Sequence, residues 1–592
     1  MIKLYFRIKK IVFQIYTKGS INGYVRSVFI IFLRTIYRFF IERKGSHFAS
    51  DKFPLINSDK NYLLKPLNAN SFFKVSEEAF KYIPYIYGEE ISHDYCINPS
   101  ILYRKKYEIV QPFYTDLKQY DISATDDCLL PIILKSNNNS LMEIHIKETG
   151  MNKRNAINIR DILPNRVMYL SLNKNFRYSF RAKDKYCSLD ICQPFVKEKS
   201  NSHNSEIAII FFIDGLSSEI FKYGSLDDLM PSVAKLVKKL KGQFSSSVAV
   251  TSDWTIPSIA SSITGLMPSE HKLIDRNGAT FGKKAPTIQS IYKENNYITQ
   301  FISGNFGMSP TLGFCNDFDR SVYKRSMSSE ELMGEFINAT DFLSRNKKFI
   351  FASIFDLHHE LKGIAEPSIQ QEYSINDFDY FVDKKIKSIM PAYSPQRRRR
   401  YIQTLKKIDT HLSIMINHVL KKYQLFNISI ISDHGQSFIS DQQSLFSPQR
   451  MYVPYFNFSS RKENKALPLK SMLNFASRHI SDSGLSAESL HSSKFSNLIS
   501  RGIMPVESII PGKSIDIRLY KGDLFARVNF NKIDIDRLRL EKLNRNFINK
   551  KIKFYIQKQK DDEISDMHDP ELLEEMLSFP WKDCLEQFIL NE

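Results

Sequence analysis

Three stretches of this chain are apolar with almost no break: "IAIIFFI" at 207–213, "KFIFASIF" at 348–355 and "NISII" at 427–431. A run without polar alternation is the mark of a strand buried on both faces, as in a parallel sheet. Between them the period changes. "LMPSVAKLVKKLKG" (229–242) and "RRRRYIQTLKKIDTHLSIMINHVLKKYQL" (397–425) carry apolar residues at helical spacing. Strands alternating with helices predict an α/β domain over 205–530, with helices on both faces of the sheet. Ahead of it the pattern differs again. "EIVQPFYTDL", "LMEIHIKE", "RVMYLSLN", "YSFRAKD" and "CSLDICQPFV" are short, alternating and separated by turn residues. They predict an antiparallel, β-sandwich-like domain over 60–200, joined to the next by the polar linker 197–206. Residues 531–592 read as a charged helical extension, and no internal repeat is present.

Charge alters this picture at one end. Residues 1–45 hold ten Lys or Arg against the single acid Glu42, and the apolar run "SVFIIFL" is followed at once by Arg34 and then Arg38. A spanning helix needs about 20 mostly apolar residues. Residues 1–50 therefore form a basic amphipathic segment. It lies peripherally on an anionic membrane surface, or packs as helices with a solvated basic face. With no spanning helix and six scattered cysteines without a CxxC pair, the expected location is cytoplasmic, peripheral to the inner face of the membrane if the segment binds lipid. The net charge of +19 suits an anionic partner. It is spread along the chain with no nucleic-acid motif, so nucleic acid is not the expected partner.

The chemistry gathers where the buried strands end. Ligands of such sheets bind beyond the carboxyl ends of the strands. The first strand ends at Asp214, the second at Asp356, His358 and His359, and the third at Asp433 and His434. An Asp after a strand also serves as a helix cap. Three acid or imidazole ends converging suit a divalent cation: Zn²⁺ or Mn²⁺ first, Mg²⁺ or Ca²⁺ as alternatives, one ion or two. His411 and His418, alone on the long helix, read as structural.

A fourth segment, "TSDWTIPSIASSITGLMPSEHK" (251–272), is rich in hydroxyls yet keeps a helical beat. Pro257 suits a helix's first turn. Thr255 then stands at the positive end of that helix, where anions are stabilised. A neighbouring cation would lower the pKa of its hydroxyl and make it a nucleophile. Its plainer role is that of a cap or turn residue.

Together these motifs resemble the sulfatase-like branch of the alkaline phosphatase superfamily. "IDGLS" is similar to that family's first ligand strand, "WTIPSIASSITGLMPSEHK" to its nucleophile segment, "DLHHE" to its D-P-H-x-P-Y loop, the 401–435 stretch to its long helix and last ligand strand, and "RMYVPYFNF" to the strand after it. The resemblance covers roughly 205–530. It implies an alkaline-phosphatase-like mixed, mostly parallel sheet flanked by helices, with Asp214, Thr255, Asp433 and His434 on a metal and Thr255 as nucleophile. His358 would meet the substrate oxyanion or its leaving group, or hold a second metal with Asp356. Asp356, His359, Arg450 and His491 are the candidates for a second metal or for substrate, and His271 is structural.

The departures bear on the substrate. Sulfatases convert a Cys or Ser within C/S-x-P-x-R to formylglycine; here Thr255 stands at that position and Ile259 replaces the arginine. The expected activity is thus a metal-dependent hydrolase or transferase of phosphate esters, acting on a phosphorylated glycan or a lipid-linked substrate. The alternatives are a sulfuric ester hydrolase and a non-catalytic protein of the same fold that binds anionic glycan or lipid.

Overall fold

The computed structural model describes residues 106–550 apart from internal stretches, the longest being 274–285, 359–394, 437–450 and 535–549. The 1–50 segment, and 531–592 except for isolated positions, lie outside the described residues.

The larger core is an eight-stranded sheet. Its strands are β1 (Lys106–Val110), β11 (Glu206–Ile213), β12 (Gln243–Ala249), β13 (Ile298–Ser303), β14 (Arg320–Lys324), β15 (Lys348–Ile354), β16 (Leu425–Ile431) and β17 (Tyr452–Ser459). They run in the order β1-β14-β13-β15-β11-β16-β17-β12. The five from β14 to β16 are parallel, and β1, β17 and β12 are antiparallel additions. This is the mixed, mostly parallel α/β sheet the pattern predicts. Successive residues of β11 show why its run is unbroken: Ala208, Ile210 and Phe212 enter one core, and Ile207, Ile209, Phe211 and Ile213 the other. Each fully buried aliphatic or aromatic side chain contributes about 1.5–3 kcal/mol, so a two-faced strand is a strong organiser.

Helices cover both faces. Helix Pro395–Lys422 buries Leu405, Ile408, Leu412, Met415 and Val419, a helical stripe, against one face beside helix Ser329–Asp341. The other face receives helix Thr255–Thr264 and helix Phe475–Asp482. An antiparallel meander of β18 (Met504–Ile510), β19 (Ser514–Lys521) and β20 (Leu524–Asn531) joins that second core.

Two antiparallel sheets precede this domain. One combines β2 (Pro112–Leu117), β4 (Cys128–Lys135), β7 (Val167–Leu172), β9 (Ser188–Cys192) and β10 (Phe195–Val196); the other combines β3 (Gln119–Ser123), β5 (Ser140–Glu148), β6 (Arg154–Ile162) and β8 (Phe176–Ala182). They share a core in which Leu130, Ile132 and Leu134 meet Met142, Ile144 and Phe180, the alternation expected of a sandwich. One strand of this stretch does not stay with the rest. β1 pairs antiparallel with β14 and so lengthens the α/β sheet, supplying ladder partners to what would be an open edge.

Candidate active site

The site forms where β11, β13 and β16 end. Asp214 follows β11 directly, and its backbone N–H donates to Ile354 O of β15 at 3.0 Å. Gly215 then turns the chain away at φ +76°, and an added Cβ there would lie 2.2 Å from Gln436 Nε2. The left-handed φ favours glycine, and a side chain there would also displace the end of Gln436. The Gly215 N–H donates to Asp433 Oδ1 at 2.9 Å and the Leu216 N–H to Ser432 Oγ at 2.9 Å, so the ends of β11 and β16 are stitched together. Tyr401, on the long helix, closes the turn: its hydroxyl donates to Gly215 O at 2.8 Å and accepts from the Ser217 N–H at 2.9 Å.

Thr255 arrives from the opposite face. Its helix spans Thr255–Thr264 and every residue in it is buried. Burial of so many hydroxyls is possible because they fold back on main-chain carbonyls: Ser258 on Ser252, Ser262 on Ser258, Thr264 on Ala260. The helix begins two residues earlier than Pro257 suggests, and Trp254 occupies the cap with no side-chain bond. Thr255 is therefore not a cap. Its Oγ1 donates to Asp214 Oδ2 at 3.3 Å and lies 3.5 Å from His434 Nε2.

Asp214, Asp433 and His434 offer ligand atoms that all lie within 4.8 Å of one another, and all three residues are buried. His434 Nδ1 is 3.0 Å from Gly435 O. A carbonyl only accepts, so that contact places a proton on Nδ1 and turns Nε2 toward Asp433 Oδ2, 3.2 Å away. Asp214 Oδ1 and Asp433 Oδ2 are buried without accepting a hydrogen bond among the described residues. Burial first, and then the charge of Asp433, push the Asp214 carboxyl well above the usual range, against the pull of His434, Asn305 and Thr255. Two buried carboxylates with unsatisfied oxygens, an imidazole nitrogen and a hydroxyl are donors that could hold a divalent cation. Among the described residues no other such cluster occurs.

The chain matches no known protein-family profile and no curated protein. Solved structures similar to it include a 2-O GAG sulfatase, 15% identical, with a TM-score of 0.41 over 62% of this chain and 96% of that one. Another is the C-terminal periplasmic domain of EptC from Escherichia coli in complex with Zn, 14% identical, with a TM-score of 0.37 over 50% and 86%. A third is a protein in the alkaline phosphatase superfamily from Vibrio parahaemolyticus, 16% identical, with a TM-score of 0.37 over 56% and 80%. No activity follows from likeness at this level, and the chemistry rests on the residues themselves.

Of the segments singled out in the sequence, those of Asp214, Thr255 and Asp433–His434 meet in one cluster. His358 stands at its edge, with Nε2 4.0 Å from Asp214 Oδ1, the ring stacked on Phe355 and the side chain about a third exposed. Asp356 does not join them. Its Oδ1 accepts from Ser329 Oγ at 2.8 Å and the Ser329 N–H at 3.2 Å, and lies 3.8 Å from Lys407 Nζ. It anchors helix Ser329–Asp341 instead of reaching the cluster, and His411 completes that anchor 3.0 Å from Ser329 Oγ. His271 is also structural: it accepts from the Leu273 N–H, lies 3.1 Å from Ser261 Oγ, and is pushed down to about 3 by burial. His418 pairs with Asp341 at 2.8 Å. His359, Arg450 and His491 lie outside the described residues.

One residue at the site went unread in the sequence. Asn305, just past β13, donates from Nδ2 to Asp214 Oδ2 at 2.6 Å. The available signal was "YITQFISGN" (297–305), a further strand with a polar end, whose Thr and Gln interrupt the apolar run.

Proposed function

We propose that this protein is a metal-dependent enzyme that transfers the phosphoryl group of a phosphate ester through Thr255, to water or to an acceptor hydroxyl. The observation that carries this is the placement of Thr255 Oγ1 at a buried helix start, 3.3 Å from Asp214 Oδ2 and 3.5 Å from His434 Nε2. A hydroxyl serving only as a cap has no need of such company. Asp214, Asp433 and His434, with Thr255 Oγ1 as a fourth donor, would hold the cation. Two carboxylates match the charge of one dication, which favours a single ion, Zn²⁺ or Mn²⁺ before Mg²⁺ or Ca²⁺. When bound, the ion would supply positive charge that neutralises the phosphate and makes the hydroxyl more acidic.

The chain's own residues supply the rest. The hydrogen bond to Asp214 Oδ2 orients Thr255 Oγ1 and gives its proton a destination. The oxygen forms a bond to phosphorus as the bond from phosphorus to the leaving alcohol breaks. The start of helix Thr255–Thr264 presents its positive end to the anionic group. His358, partly exposed beside Asp214, would give a proton to the leaving oxygen. Water or an acceptor hydroxyl then attacks phosphorus, giving up its proton to His358, as the bond from phosphorus to Thr255 Oγ1 breaks and Oγ1 recovers its proton from Asp214. Threonine has no route to formylglycine by Cys or Ser maturation, which supports phosphate over sulfate. The charge of +19 supports an anionic substrate, and a phosphorylated glycan or lipid-linked phosphate is the class we favour. Residues 1–50 add a peripheral membrane contact to this proposal. It is tested by co-sedimentation of the full chain with anionic vesicles at low and high salt, where binding that ignores vesicle charge overturns it.

The deciding experiment is a panel of aryl phosphomonoesters, phosphodiesters and sulfate esters, assayed with each metal. Metal-dependent turnover of a phosphate ester, lost with chelator, is expected. Preference for the sulfate ester would replace this reading with a sulfatase. Absence of both turnover and metal binding would leave a binding protein.

A further inference from the structure

Asp214 has two oxygens in unlike surroundings. Oδ2 receives Asn305 Nδ2 at 2.6 Å and Thr255 Oγ1 at 3.3 Å, whereas Oδ1 accepts no hydrogen bond among the described residues. The Asn305 contact is the shorter, and a donor to a carboxylate makes a charge-assisted bond. Asn305 is itself held. It is 1% exposed, its Oδ1 accepts from the Gly307 N–H at 2.8 Å, and its own N–H donates to Ser303 Oγ at 3.1 Å. The Gly307 contact settles which end of the amide faces Asp214, because a backbone N–H can pair only with the amide oxygen. The same loop leaves room for no more than a glycine beside Thr255 without a shift: an added Cβ at Gly307 would lie 3.0 Å from Thr255 Cγ2.

From this geometry, and resting on the reading of the cluster as a cation site, we infer that Asn305 is a positioning residue that locks the Asp214 carboxylate for metal binding. A buried carboxylate turns about its last bond unless something stops it. Asn305, brought from the end of β13, stops it by occupying one oxygen. Thr255 does this more weakly, at the longer distance and with a hydroxyl that must also serve as nucleophile. Residues behind metal ligands commonly contribute 10–100-fold in metal affinity through such orientation.

The test is calorimetric titration of the full chain with Zn²⁺ and Mn²⁺, comparing the unaltered protein with Asn305→Ala, Asn305→Ser and Asp433→Asn, each first unfolded thermally in chelator to establish folding. Asn305→Ala is expected to bind the metal roughly 10–100-fold more weakly. Asn305→Ser, which keeps a shorter donor, should fall between. Excess metal should restore much of the Asn305→Ala rate, with the KM for the ester little changed. A residue that merely filled space would not behave so. Unaltered affinity in a folded Asn305→Ala protein overturns the inference. If that variant does not fold, Asn305→Ser decides in its place, and unaltered affinity there overturns it equally. Asp433→Asn separates the two levels. Loss of metal there beside intact binding at Asn305→Ala sinks only the role of Asn305, whereas full metal binding by Asp433→Asn sinks the cation site itself.

Discussion

Arg518 Nη2 lies 3.0 Å from Asp253 Oδ2, and Arg518 is fully buried. Asp253 is two residues ahead of Thr255, and Arg518 sits on β19 of the C-terminal meander. The guanidinium also donates to Asp516 Oδ1 at 2.9 Å, and Asp516 is shared with Arg527 and Asn529. Burial opposes its charge, but Asp253, Tyr520 and Asp516 together outweigh that and hold the proton on. A second tie runs beside it, from the Glu507 N–H to Thr251 O at 2.9 Å. The meander is thus part of the frame that fixes the loop leading into Thr255.

Removing one partner of a buried ion pair leaves an uncompensated charge and costs about 3–5 kcal/mol. Arg518→Met should lose stability on that scale in urea unfolding, and the protein that remains folded should turn over ester more slowly. Loss of stability without loss of rate would confine Arg518 to packing.

Thr255 carries the chemistry in the proposed reaction. Thr255→Ala should remain folded by circular dichroism and lose ester turnover, while Thr255→Ser keeps the oxygen and retains part of the rate. Single-turnover kinetics with an aryl phosphodiester, with trapping of the phosphothreonine, checks both. Turnover unchanged in Thr255→Ala would remove this residue from the mechanism.

Asp433 and Asp356 both follow buried strands but face different neighbours. Asp433→Asn should lose bound metal and rate together. Asp356→Ala should keep its metal content and instead lose about 1–3 kcal/mol, because the Ser329 N–H loses its side-chain acceptor and the Ser329 hydroxyl is left with His411 alone. Metal analysis beside thermal unfolding distinguishes them. Metal lost from both would return Asp356 to the site.

Glu507 provides a pH signature. It is buried, accepts from the Ser269 N–H at 2.8 Å and Ser269 Oγ at 2.9 Å, and is pushed up to about 7, chiefly by burial. A raised carboxyl pKa means the folded state binds the proton more tightly than the unfolded one. The stability it contributes is complete below its unfolded value, near 4.3, and is lost as pH rises through about 7. Glu507→Gln removes that titration. The stability of the variant relative to the unaltered protein should climb from pH 5 to pH 8. A flat difference across that window would mean Glu507 titrates normally.

Local pattern alone determined a good deal of this protein. The apolar residues of β11, β15 and β16 declare two-faced burial through side-chain period, which is written in neighbouring positions. The residues that end β11 and β16, Asp214, Asp433 and His434, follow from the rule that parallel strands present ligands at their carboxyl ends. Thr255 was legible from Pro257 and the helical beat behind it. The partners that complete the site were not, because they depend on strand order and side-chain rotation. Asp356 ends a strand as Asp214 does, yet it turns to Ser329 on a helix of the other face. Asn305 reaches Asp214 only because β13 lies beside β15, which in turn lies beside β11. Arg518 meets Asp253 from the far end of the domain, and β1 leaves the sandwich region to pair with β14. Such contacts join residues far apart in the chain, and no periodicity records them. They exist once the two faces of the sheet are packed and buried charges must find partners, a selection that only the tertiary structure makes.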